Sequence, residues 1–258
     1  IVPGGPFLSF SNEMRELIFV NTTKLVKKMA KEIRTRSARP EGVVLALDAE
    51  WSPYCSGTAG ASILQISLHD VSYIVDLDVL PATSVRPFIE MLFDDPKILK
   101  LGFGFDDDLS MLRKTKTLTR CAPLFHPTNL SCVLELTIAL ISESEKRPNA
   151  TEILKEFGLS NRPLRKQLGE QEMKNIKERI KKREGKELSD AEVDIRRRLS
   201  FAPSLSSLCE SLLGFPLDKR EQRSLWTRRP LRTLQLRYAA MDAFCLLLLH
   251  DRCKKWAE

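Results

Sequence analysis

The sequence has no apolar run approaching the roughly 20 residues needed to span a bilayer. Its densest apolar stretch, Ala243 to Leu249, is about two helical turns long and stops at His250 and Asp251. That pattern predicts a chain with no membrane partner. The first residues, Ile1-Val2-Pro3-Gly4-Gly5-Pro6, lack a Met and lack the basic-then-apolar pattern of a signal peptide. A first residue other than Met suggests a piece of a longer protein. The six cysteines, Cys55, Cys121, Cys132, Cys209, Cys245 and Cys253, form no C-x-x-C pair and no compact cluster with histidine. This excludes the usual structural zinc sites. In a chain this large, unpaired and mostly buried thiols in a reducing compartment are expected. No internal repeat is present.

What the 258 residues do contain is 43% hydrophobic and 29% charged, enough apolar surface for a sizeable core. The formal charge of +7 favours a polyanionic partner, though only mildly. Glu16 to Val20 reads as a short strand, and Asn21-Thr22-Thr23 as capping residues. Leu25, Val26, Met29 and Ile33 then recur at helical spacing until the break at Arg39-Pro40-Glu41-Gly42. Val43 to Leu47 is a continuous apolar run that predicts a strand buried on both faces. Ala61 to Leu68 and Val71 to Asp76 predict a hairpin turning at His69-Asp70. Ser84 is a candidate cap for a helix to about Phe93, with Pro87 in its first turn. Ile98 to Phe103 predicts a further strand, and Asp106 to Lys114 a helix with an acidic first turn. Strands in series followed by mixed elements imply an α/β domain on a mixed sheet.

From about 143 to 202 the texture changes to interspersed charge, including Lys181-Lys182-Arg183-Glu184 and Arg196-Arg197-Arg198. We read it as an insertion with a solvated helix at its middle, inside a single domain spanning 1–258. Its basic runs suit a solvated face or nucleic-acid contact equally.

Three clusters carry chemistry. In Leu47-Asp48-Ala49-Glu50-Trp51 the two acids are two apart on a strand, so they share a face. Like charges so close call for a divalent cation, and hard Mg²⁺ or Mn²⁺ suits carboxylate oxygen. An exposed strand end is the plainer alternative. Asp106-Asp107-Asp108 sits where a strand meets a helix, where capping and the helix dipole account for one or two acids. Tyr238 and Asp242 stand four apart and share a helical face, although a core Tyr and a surface Asp would show the same spacing.

In order and spacing, D-x-E, then G-F-x-F-x-x-D-L-x-x-L, then Y-x-x-x-D resembles the DEDDy branch of the 3′→5′ exonucleases, the ribonuclease D superfamily. The likeness extends through Ser62-Ile63-Leu64-Gln65-Ile66 and Ser204 to Leu208, then from Leu217 to Trp226 and through Arg229-Pro230-Leu231. Within the superfamily, the Asp48-Ala49-Glu50-Trp51 and Gly102 to Phe105 segments are most similar to the Nibbler and worm mutator exonucleases. Leu225 departs from the pattern, since many relatives carry Asp there.

The resemblance implies a ribonuclease H-like mixed β-sheet flanked by helices, the DEDD exonuclease fold. It implies two divalent ions, Mg²⁺ or Mn²⁺, with Asp48 bridging them, Glu50 and Asp242 completing one site and Asp108 serving the other. Asp108 is chosen over Asp106 and Asp107 by the family position alone. Tyr238 would orient the attacking water, since a phenol with a pKa near ~10 is a poor base at neutral pH. Phe103, Phe105 and Trp51 flank the motifs, as core or as platforms for a terminal base. Lys219, Arg223, Arg228 and Arg229 are candidate phosphate contacts or plain surface charges. The implied substrate is the 3′ end of single-stranded RNA, with small-RNA silencing proteins as partners. The implied location is the cytoplasm, its perinuclear RNA granules, or the nucleus. A DNA exonuclease of the same superfamily and a catalytically idle RNA-binding scaffold are the alternatives.

Overall fold

In the computed structural model, the residues described are 7–8, 16–52, 60–145, 170–185, 187–190, 192–193 and 204–257. The Arg196-Arg197-Arg198 run, Cys55 and much of the charged stretch lie outside them. The five described cysteines carry no disulfide, and four of them are buried. Among the described residues no helix is long and apolar enough to cross a membrane.

Six strands form one sheet: β1 (Glu16–Val20), β2 (Val43–Glu50), β3 (Ile63–Ser67), β4 (Val71–Asp76), β5 (Ile98–Gly102) and β6 (Leu130–Cys132). Their order across the sheet is β1-β4-β3-β2-β5-β6. β3 runs antiparallel to β2 and β4, whereas β1·β4, β2·β5 and β5·β6 are parallel. β2 and β3 therefore lie inside the sheet with both edges paired, which is why they read as apolar runs.

The helices are α1 (Thr23–Ser37), α2 (Ala82–Asp94), α3 (Asp106–Lys114), α4 (Val133–Glu145), α5 (Glu170–Glu184), α6 (Leu205–Leu213) and α7 (Thr233–Ala257). Thr22 caps α1, its hydroxyl accepting from the Leu25 N–H at 3.3 Å. α2 begins two residues before the expected Ser84 cap, after Pro81. The Ser84 hydroxyl donates back to the Pro81 carbonyl, so it cannot mark the helix start, and Pro87 lies inside the helix. β6 was not anticipated, because three half-buried residues show no alternation to read.

One sheet face packs Leu45, Leu47, Leu64 and Ile66 against Val26, Met29 and Ile33 of α1 and Val85, Phe88 and Ile89 of α2. Strand alternation then sends Ala46, Asp48, Glu50, Gln65 and Ser67 to the opposite face. α7 lies against that face, where the Ser67 hydroxyl donates to the Ala240 carbonyl at 3.5 Å. Ala239, Ala240 and Ala243 are fully buried on α7, and their small side chains permit the close approach.

The chain divides into two compact units. One comprises Ile1–Val133 and Asp218–His250, and the other Leu134–Leu217 and Asp251–Glu258. Within the second, Ile176 of α5 forms a small apolar cluster with Leu188 and Val193, which follow the helix.

Candidate active site

β2 outruns its neighbour. β5 pairs with it only as far as Ala46 opposite Leu101, and the chain then leaves the sheet at Gly102 to start α3. A Cβ on Gly102 would sit 2.7 Å from that of Phe105, and Gly104 holds a φ of +58°, so the sharp exit needs both glycines. Past that exit the Ala49 N–H has lost its strand partner. Asp108 replaces it, its Oδ1 accepting from the Ala49 N–H at 3.0 Å. Asp108 is thereby tied to the backbone between Asp48 and Glu50. Asp106 and Asp107 stay exposed in the first turn of α3, where they meet the helix dipole.

The third element is α7. Its Asp242 lies with Asp48 and Glu50 so that one oxygen from each falls within 4.8 Å of the others. Tyr238 sits one turn earlier, largely buried, with its ring centroid 6.0 Å from that of the fully buried Trp226. Trp226 is held in turn by a clamp. Arg229 makes a bidentate pair with Asp76, both contacts 2.6 Å, while also donating to the Trp226 carbonyl at 2.5 Å.

The cluster is electrostatically strained in isolation. Burial, then the charge of Asp242, raises the Asp48 carboxyl well above its ordinary range. Burial and the three other carboxylates do the same to Glu50. Asp108 is pushed up to about 8 by burial and then by Asp48. Burial takes Asp242 to about 7, against the lowering effects of the Tyr238 hydroxyl and the Lys219 charge. Four desolvated carboxylates of this kind ionise together only when positive charge is supplied. An all-oxygen set without thiol or imidazole fits a hard divalent cation. The Tyr238 phenol is raised far above its normal range by burial and by Asp242 and Glu50, so it stays protonated.

The flanking residues separate. Phe105 is only 5% exposed, belongs to the core, and has Phe93 stacked on it at 6.4 Å. Of the two readings open for Phe105, core packing is the one this arrangement favours, with Phe93 against one side of its ring. Phe103 and Trp51 are half-buried. Arg229 is committed to Asp76, whereas Lys219, Arg223 and Arg228 are exposed. Gln65, part of the strand motif Ser62-Ile63-Leu64-Gln65-Ile66, lies directly opposite Asp48. Finding it required the strand register, which single-sequence patterning does not supply.

The family model for 3′–5′ exonucleases matches residues 17–136 and 173–256, most of the chain and all of these motifs. This chain belongs to the 3′–5′ exonuclease family. The exonuclease chain is 28% identical over 214 residues to the Exonuclease mut-7 homolog of Aedes aegypti, covering 82% of this chain. It is 25% identical over 249 residues to Exonuclease mut-7 of Caenorhabditis elegans, covering 93% of this chain. It spans only 24% and 22% of the lengths of those two proteins. The crystal structure of the Aedes aegypti Nibbler EXO domain superposes with a TM-score of 0.59 at 23% identity, covering 97% of this chain and 91% of that one. The exonuclease is thus a DEDD-type domain of the mut-7 and Nibbler group. Its mixed six-stranded sheet flanked by helices matches the ribonuclease H-like architecture. The DEDD fold implies divalent metal ions, and the acidic cluster is placed to hold them.

Proposed function

We propose that this domain removes nucleoside 5′-monophosphates one at a time from the 3′ end of single-stranded RNA, with Mg²⁺ or Mn²⁺ as cofactor. The observation that carries this reading is the convergence of three elements on one acidic cluster, with Asp48, Glu50 and Asp242 oxygens within 4.8 Å of one another. Asp108, anchored on Ala49, completes the donor set. Bound divalent cations lower the pKa of water and stabilise charge on the departing 3′ oxygen. Asp48, Glu50 and Asp242 would hold the cation, with Asp108, tied to the Ala49 N–H, as the further carboxylate beside them. The protonated Tyr238 hydroxyl orients the attacking water and takes no proton from it.

The net charge of +7 supports a polyanionic substrate. The half-buried Phe103 and Trp51 are the aromatic faces left for a terminal base. Trimming of small RNAs in silencing is the finer reading supported by the likeness to the Nibbler and worm mutator group, with proteins of that pathway as partners.

The test is degradation of 5′-labelled single-stranded RNA and DNA of one sequence, with Mg²⁺ or Mn²⁺, by wild type and Asp48→Ala. We expect stepwise shortening of the RNA from its 3′ end, and a loss on the order of 10³-fold in the variant. Equal rates for the two proteins would refute the site. Faster loss of the DNA would refute the choice of RNA.

A further inference from the structure

Gln65 lies mid-way along β3, in an interior position of the sheet, and is fully buried. Among the described residues, neither its Nε2 nor its Oε1 has a hydrogen-bond partner. Buried amides are almost always paired, and an unpaired one costs stability, so two orphaned atoms on one side chain need a cause.

Its surroundings narrow the cause. Across the sheet Gln65 faces Ile74 of β4 on one side and Asp48 of β2 on the other. Along its own strand, Ile63 and Ser67 point to the same face. The two isoleucines offer nothing polar. The Ser67 hydroxyl is already engaged with Ser72 at 2.7 Å and with the Ala240 carbonyl. Among these sheet neighbours Asp48 remains, and directly opposed side chains of an antiparallel pair have Cβ atoms about 4.5–5.5 Å apart, within reach of a glutamine amide. An ionised carboxylate only accepts, so the amide NH₂ must be the end that meets it. The other end, Oε1, is then left to accept from a buried water.

We propose that Gln65 is a positioning residue for the acidic cluster: its amide donates to the Asp48 carboxylate in the cation-loaded state and its oxygen accepts from a buried water. This rests on the metal-dependent reading above. Neither end of the amide has a partner among the described residues, and its pairing is assigned to the loaded site. Outer partners of this kind set the orientation of a ligand carboxylate and typically change metal affinity by about 10- to 100-fold.

The proposal separates stability from binding. Gln65→Met, unbranched like glutamine, and Gln65→Ala, too small to overpack, each remove the amide. Thermal melting in EDTA and Mn²⁺ titration calorimetry are measured on both variants and on wild type, with RNA degradation followed across Mn²⁺ concentrations. We expect at least one variant to melt at or above wild type without metal, by up to roughly 4 °C. We expect Mn²⁺ binding to weaken by about 10- to 100-fold in both, and the Mn²⁺ concentration for half-maximal activity to rise in step while KM for RNA holds. Unchanged Mn²⁺ affinity overturns the proposal and leaves the exonuclease reading standing. Melting well below wild type in both variants also overturns it, because the amide would then have a partner in the metal-free fold. Absence of Mn²⁺ binding by wild type would remove the metal-dependent reading itself, and this inference with it.

Discussion

Asp108 shows how a single atom can join architecture to chemistry. One carboxylate oxygen replaces the strand that β2 lacks beyond Ala46, by accepting the Ala49 N–H. An asparagine keeps that acceptor but loses the charge. We therefore expect Asp108→Asn to retain the fold, with an EDTA melting temperature equal to or above wild type because repulsion with Asp48 is relieved. Its exonuclease rate should fall by on the order of 10²-fold or more. Asp106→Asn, at an exposed position in the same helical turn, should stay within about threefold of wild type. Loss of activity in both variants would mean that the helix terminus as a whole matters, and not the tie to Ala49. Tyr238→Phe isolates the hydroxyl. It should lower kcat by about 10- to 100-fold with little change in KM. The pH dependence should keep its shape, because the phenol does not titrate in the working range. Loss of an ionisation from the profile would instead make Tyr238 the base.

At the scale of elements, the end of α2 contains a charge that hydropathy alone would not place there. Lys100 of β5 is fully buried, and its Nζ donates to the Leu92 and Asp95 carbonyls, each at 3.0 Å. These are carbonyls at the C-terminal end of α2, which carry the negative end of its dipole. Burial lowers the Lys100 pKa from 10.5 to about 8, partly opposed by Asp95 and Asp94. The folded state therefore binds fewer protons than the unfolded chain between these values, and stability rises with pH across that window. Below pH 8 both states hold the proton and the contribution is flat. Relative to Lys100→Met, wild type should gain up to about 3 kcal/mol between pH 8 and 10.5 in urea unfolding. A constant difference between the two proteins would show that the carbonyls hold the ammonium at its ordinary pKa.

At the scale of the molecule, the sheet with α7 works because distant segments are clamped together. Arg229 and Asp76 are 153 residues apart, and Asp76 is only 1% exposed. Arg229→Met leaves that carboxylate buried with its main partner gone, a cost of about 3 kcal/mol and roughly 10 °C in melting temperature. Because the clamp holds the Trp226 segment beside Tyr238, activity measured well below the melting temperature should fall as well. Adding Asp76→Asn should recover part of the stability; a fully additive double variant would rule out the coupling.

Much was legible from the chain. The strands Glu16–Val20 and Val71–Asp76 have the bounds their apolar patterns predict, and Thr22 caps α1 as its position suggests. These features depend on neighbours within a few residues, so local pattern determines them. The carboxylates and Tyr238 were picked out by motif order, which constrains identity and spacing along the chain. Tertiary structure decided the rest. It set the strand order, the short β6, the burial of Phe105 under Phe93, the commitment of Arg229 to Asp76, and the seat of Gln65 beside Asp48. Each of these is a meeting of residues far apart in sequence, governed by register and by what packs on each sheet face. A side chain's charge and size belong to the sequence, but the partner it meets exists only once the sheet has closed around it.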